Sequence, residues 1–200
     1  MRYYKSSFIG LAAAVTMAVS GAAYAKDIKL LASWGPQNKG TWLSETTFTD
    51  LVKEESKGQL TIKRSGPEVV PGFQQIQPVK AGVFDLLLTH GAYHYGTIGI
   101  GVAMDAIDGD PGKRRSTGIW DMVDKMYQKQ GLKMIAMVPQ GKSGYQMILK
   151  KPITADGDIK GLKIRGTITY HPLIKAFGGS PVVIPGGQVY SALEKGVVDG

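Results

Sequence analysis

The chain contains no cysteine among its 200 residues. That excludes a small extracellular scaffold held together by disulfides. Histidine is almost as scarce, at three residues, His90, His94 and His171. A metal site wants three or four ligands within reach. His90 and His94 lie in "THGAYHYG", where glycines spoil helical spacing, and His171 is distant, so polar loop roles are expected and no metal or other cofactor. No carboxylate pair and no Ser–His–Asp order stands out, so no catalytic machinery is visible. Long apolar runs are lacking too, apart from one at the start. Phe8 to Val19 is shorter than the roughly 20 apolar residues of a membrane span. It follows Arg2 and Lys5 and precedes Ala23 and Ala25, which makes residues 1–25 a secretory signal peptide with an A-x-A cleavage site before Lys26. The mature chain is expected not to span a membrane.

What is present is an ordinary globular composition, 43% hydrophobic and 20% charged, with 27 glycines. Lysine and arginine exceed aspartate and glutamate by 24 to 16, a net charge of +8 that becomes about +6 without Arg2 and Lys5. The basic residues are spread out. Their densest cluster, "GKRRS" at 112–116, reads as a solvated helix start, so a nucleic-acid partner is not expected and a bias toward an anionic small ligand remains.

Hydrophobic periodicity alternates between strand and helix. Strands are expected at 28–33, 60–66 and 86–91, with helices at 41–58, 73–85 and 115–131. In the third helix Ile119, Met122, Val123 and Met126 form one face. The runs 132–138 and 145–151 read as two more strands. This alternation implies an α/β fold on a mostly parallel sheet, with ligand loops at the strands' carboxyl ends. Those loops carry Trp34, Tyr93 and Tyr95, each as readily a packing ring as a cleft wall. From Lys151 the rhythm restarts: a connector, a strand "GLKIR" at 161–165, a helix at 169–179, a strand at 181–185 and a helix at 187–196. Residues 26–150 thus form a first α/β lobe and residues 151–200 the start of a second, which at this size is not expected to fold alone.

Two motifs carry possible chemistry. "AMVPQGKSG" at 136–144 nearly matches a phosphate-binding loop, but Ala136 replaces the first glycine and a strand pattern follows instead of a helix. A plain turn is the better reading. In "GLKIRG", Lys163 and Arg165 share one face of a strand. Arg165 offers a planar fork suited to a carboxylate, yet a surface-charge explanation covers both residues equally.

Three stretches resemble the solute-binding proteins of tripartite ATP-independent periplasmic (TRAP) transporters, DctP-like in pattern. They are "DIKGLKIRG", "AFGGSPVVIP" and "GQVYSALEKGVVDG", with "EESKGQLTIK" and "VKAGVFDLLLTH" agreeing earlier in the chain. The resemblance implies a two-lobed periplasmic-binding-protein-like α/β fold whose second lobe is incomplete here. It implies a periplasmic protein that captures a small organic acid in the cleft and delivers it to an ion-gradient-driven TRAP permease. It assigns the carboxylate to Arg165, with Trp34, Tyr93, Tyr95, Tyr145 and Gln188 as further ligand-binding candidates. Tyr145 stands where some members carry a second arginine, and Gln188 where a glutamate is common. The family's pattern continues past Asp199–Gly200 with an asparagine and a long closing helix, so a truncated chain is expected. A secreted α/β enzyme acting on a small anionic substrate is the alternative.

Overall fold

The computed structural model describes residues 26–138 and 144–200. The expected signal peptide, and Gly141, Lys142 and Ser143 of the near phosphate-loop motif, lie outside the described residues.

The first half is built on β1 (Lys26–Ala32), β2 (Leu60–Ser65) and β3 (Leu86–Leu88), in the order β2-β1-β3 and parallel throughout. The register pairs Lys26 with Leu60 and Leu30 with Leu86. As the central strand, β1 ends in a wholly buried run, Leu30, Leu31 and Ala32, the apolar pattern expected of a strand covered on both faces. Helix α1 (Lys39–Glu55) connects β1 to β2. It stops where Gly58 takes φ +77° and its amide reaches back to the Lys53 carbonyl at 2.8 Å, a left-handed cap that glycine accommodates without strain.

A buried glutamine ties together the three loops that leave this sheet. The Gln75 side-chain amide donates to the Ala32 carbonyl at 3.0 Å and the Val70 carbonyl at 2.9 Å, and its oxygen accepts from Ser33 Oγ at 2.6 Å. Ser33 Oγ also lies 2.8 Å from Thr89 Oγ1. The carboxyl ends of β1, β2 and β3 are therefore held at one edge, where the candidate loops begin.

Several sequence expectations are corrected between residues 72 and 150. The helix expected at 73–85 is a short 3-10 turn, Gly72–Gln74, followed by α2 (Ile76–Lys80). The loop after β3 is largely 3-10 helical, at Gly91–His94 and Gly99–Ala106. The helix expected over 115–131 is two helices, α3 (Pro111–Ser116) and α4 (Ile119–Gln128), separated by Gly118 at φ +75°. The buried face of α4 is Trp120, Val123 and Asp124, whereas Met122 and Met126 are exposed. Asp124 explains the shift. Its Oδ1 accepts from the Met134 amide at 2.9 Å and its Oδ2 from Gln128 at 2.7 Å and from Lys133, so the polar residue turns inward to anchor the exit from the helix. The described parts of 132–138 and 145–151 form no strand. Their pattern suits one, but no strand ladder forms there among the described residues, where the Lys150 amide alone of the second run donates to a distant backbone carbonyl, that of Asp199, at 2.9 Å.

The second half carries β4 (Lys163–Arg165) and β5 (Ser180–Val182), parallel, with Arg165 opposite Val182. Helices α5 (His171–Ala176) and α6 (Val189–Glu194) follow the two strands. The core is small: Ile159, Ile164 and Ile174, packed by Leu149, Leu162 and Tyr170. On the other side of β4, the Asp199 amide donates to the Lys163 carbonyl at 2.7 Å and the Arg165 amide to the Gly200 carbonyl at 2.7 Å. The fold class is α/β, as expected, and no helix among the described residues is long and apolar enough to cross a membrane.

Candidate functional site

Arg165 is the last residue of β4, and its side chain is half-buried. Its Nε donates to the Ile184 carbonyl at 2.8 Å, which fixes the direction of the guanidinium fork. Among the described residues no carboxylate forms an ion pair with it. Lys163, its neighbour on the same strand face, is exposed. The two charges that alternation could not separate therefore sit in different surroundings.

A chain of rings begins in the first half and ends on Tyr170, in the turn that follows the strand of this arginine. Trp34 follows β1, and its ring centre lies 5.4 Å from that of Tyr93. Tyr93 is buried, packs edge-on against Phe73 at 4.6 Å, and lies 6.3 Å from His90. His90 in turn lies 6.3 Å from Tyr145, and Tyr145 is 5.2 Å from Tyr170. Tyr170 ends the 3-10 turn Ile168–Tyr170 that follows β4, and the Arg165 charge acts on its phenol. The two halves meet on this strip. The Gly186 amide donates to the Tyr93 hydroxyl at 2.8 Å.

Polar groups punctuate the strip. His90 Nε2 lies 2.8 Å from Asp105 Oδ1, and the Tyr145 hydroxyl is 3.1 Å from the same nitrogen and 3.3 Å from the same oxygen. Burial first, and then the Asp105 charge, push the Tyr145 phenol up from its ordinary value, so it remains a neutral donor at neutral pH. Behind the strip, Arg64 at the end of β2 pairs with buried Glu45 at 2.6 Å, stacks over Trp42 at 4.8 Å and donates to the Trp34 carbonyl. Burial raises the Glu45 carboxyl while Arg64 opposes the rise. His94 is bonded outside the strip. Its Nε2 meets the Tyr127 hydroxyl at 2.8 Å, and burial, then the nearby His90, lower its pKa to about 4. Among the described residues no group of three or more histidine and acidic side chains is placed to hold a metal ion.

Residues 109–200 match the family described as bacterial extracellular solute-binding protein, family 7, DctP. A monocarboxylate 2-oxoacid-binding periplasmic protein of Nostoc sp. is 29% identical over 86% of this chain and 48% of its own length. The ectoine-binding periplasmic protein TeaA of Halomonas elongata is 38% identical over 42% of this chain and 25% of its own. Among solved structures, a TRAP periplasmic solute-binding protein of Colwellia psychrerythraea, with bound calcium and pyruvate, superposes with a TM-score of 0.67. It is 25% identical and covers 86% of this chain and 55% of its own. Over residues 109–200 the chain is similar to the DctP family, and the solved structures it resembles include TRAP periplasmic solute-binding proteins. It spans about half the length of the curated relatives it matches over most of its residues.

In this DctP-like chain the structure brings together Trp34, Tyr93 and Tyr145, with Arg165 at the far end of the strip. Tyr95 and Gln188 are exposed, and no side-chain hydrogen bond or ring pair joins them to the strip among the described residues. Three members are not expected from the sequence: His90, Asp105 and Tyr170. His90 reads there as an ordinary loop residue. Asp105 lies in an apolar stretch, "GIGVAMDA", with no signal pointing to it. Tyr170 is five residues after Arg165, and only the turn at Ile168–Tyr170 and the ring of Tyr145 bring it into the strip.

Proposed function

We propose that this DctP-like chain is the recognition part of a periplasmic solute-binding protein. It captures a small organic acid between a first lobe, 26–150, and a second lobe that begins at 151, and it delivers the ligand to a TRAP membrane permease. Arg165 takes the carboxylate, and Trp34, Tyr93, Tyr145 and Tyr170 supply ring faces and hydroxyls around it. The observation that carries this reading is the Arg165 side chain: braced through Nε by the Ile184 carbonyl and without a protein counter-ion among the described residues. A half-buried cation held in one direction leaves two Nη groups for a bidentate anion. The relatives' names, which include 2-oxoacids and ectoine as ligands, and the pyruvate of the Colwellia protein support a carboxylate. The relatives are named periplasmic, which supports export by the N-terminal 25 residues.

The test is calorimetric titration of the full-length protein with organic acids. A charged hydrogen-bonded pair removed from one side costs about 2–5 kcal/mol, so Arg165→Ala should weaken binding by on the order of a hundredfold or more. Arg165→Lys should recover little of it, because an ammonium keeps the charge and loses the fork. Unchanged affinity in Arg165→Ala would overturn the assignment.

A further inference from the structure

The grip on Arg165 does not end at Ile184. The Ile184 carbonyl, which accepts from Arg165 Nε at 2.8 Å, belongs to the peptide group before Pro185. The Gly186 amide, which donates to the Tyr93 hydroxyl at 2.8 Å, belongs to the peptide group after it. The two groups share one α-carbon, that of Pro185. Their relative direction is set by a single pair of angles, φ −56° and ψ 143°. The proline ring locks the first of these. The Gln188 amide donates to the Pro185 carbonyl at 2.9 Å and holds the second peptide plane from its other side.

Tyr93 is the firm end of this link. It is buried, with its ring packed against Trp34 and Phe73. A Cβ on Gly72 would stand 3.1 Å from that ring, so little space is left for it to shift. Arg165 is the soft end. It closes a three-residue strand on a small core and is only half-buried. The two residues belong to different halves of the chain, and the turn after β5 joins them.

We propose that Tyr93 is a positioning residue for Arg165. Its hydroxyl fixes the Pro185–Gly186 peptide, and the proline carries that constraint to the carbonyl that aims the guanidinium. This rests on the carboxylate reading of Arg165 and adds a condition to it. The fork is aimed only while the turn after β5 is seated on the first half, so capture of an acid and contact between the halves are coupled.

The full-length protein is made with isotope-labelled arginine, and exchange of the Arg165 Nε–H with water is followed by NMR. Its signal is the one that Arg165→Lys removes. A hydrogen-bonded N–H exchanges when its bond opens. Tyr93→Phe deletes the acceptor for Gly186. Pro185→Ala keeps the Ile184 carbonyl and the Gly186 amide and deletes the ring between them. Each should speed exchange at Arg165 about three- to tenfold, the worth of one neutral hydrogen bond. Arg114, with a buried Nε and with Nη2 donating to the Gly109 carbonyl at 3.1 Å, should exchange as before. Pyruvate is titrated into the same proteins. Each variant should weaken it by a similar factor and add nothing in an Arg165→Ala background. The inference is overturned if exchange at Arg165 is unchanged in either folded variant, if Arg114 quickens as much as Arg165, or if the affinity losses add. Exchange decides the matter whether or not pyruvate binds. If exchange responds as expected while Arg165→Ala binds pyruvate as the wild type does, the carboxylate reading falls and the positioning link stands.

Discussion

The Tyr93 hydroxyl accepts a hydrogen bond from the Gly186 amide at 2.8 Å across 93 positions of sequence. The contact joins the loop after β3 to the turn after β5, and it leaves little room for a side chain at 186. A Cβ there would stand 3.0 Å from both Trp34 Nε1 and the Tyr93 hydroxyl. Gly186→Ala should therefore displace Trp34, costing about 1–3 kcal/mol as an overpacking change, and shift the tryptophan emission. Tyr93→Phe removes only the acceptor and should cost about 0.5–1.5 kcal/mol. Urea denaturation of both variants checks the order.

Arg64 offers a sharper stability test. It is the partner of Glu45, whose side chain is 3% exposed. Removing one member of a buried pair leaves the other charge unmatched, at about 3–5 kcal/mol. Arg64→Ala should lose that much at neutral pH by chemical denaturation. The loss should shrink as pH falls, because a Glu45 carboxyl already raised by burial takes up a proton and ceases to be a buried charge. Arg64 also holds the Trp34 carbonyl, so ligand affinity should drop with stability.

His94 makes stability depend on pH in a defined window. Its pKa falls from 6.5 to about 4 in the folded chain. The folded state stays unprotonated where the unfolded state takes up a proton, so stability is full above about pH 6.5 and falls as pH drops toward 4. Across that window the stability lost through this one imidazole reaches about 3 kcal/mol. His94→Leu should be less stable at neutral pH, having lost the Tyr127 contact, yet show a flatter decline between pH 6.5 and 4. Denaturation midpoints measured across that range decide it.

The parts legible in the sequence are those set by local pattern. Alternation marks β1 and β2, the glycine after Lys57 marks the end of α1, and the strand at Arg165 lies within "GLKIR". The parts that are not legible depend on partners distant in sequence. "LKMIAMV" alternates like a strand, but Asp124 captures the Met134 amide and no strand pairs with it among the described residues. The buried face of α4 departs from the apolar pattern because contacts at 128, 133 and 134 draw Asp124 inward, while the methionines of that pattern face outward. His90 and Asp105 meet across 15 residues through two 3-10 turns, whose path no hydrophobic period describes.

Arg165 is braced twice, its amide bound to the Gly200 carbonyl and its Nε to the Ile184 carbonyl. The second bond has a kinetic consequence for the proposed capture. A free arginine loses much of its rotamer entropy when it clamps an anion. Here that freedom is already restricted before any ligand arrives, so little of the clamp's interaction energy is spent on ordering it. The gain belongs chiefly to the dissociation rate. A solute held by this arginine should stay long enough to be carried, rather than merely be met often.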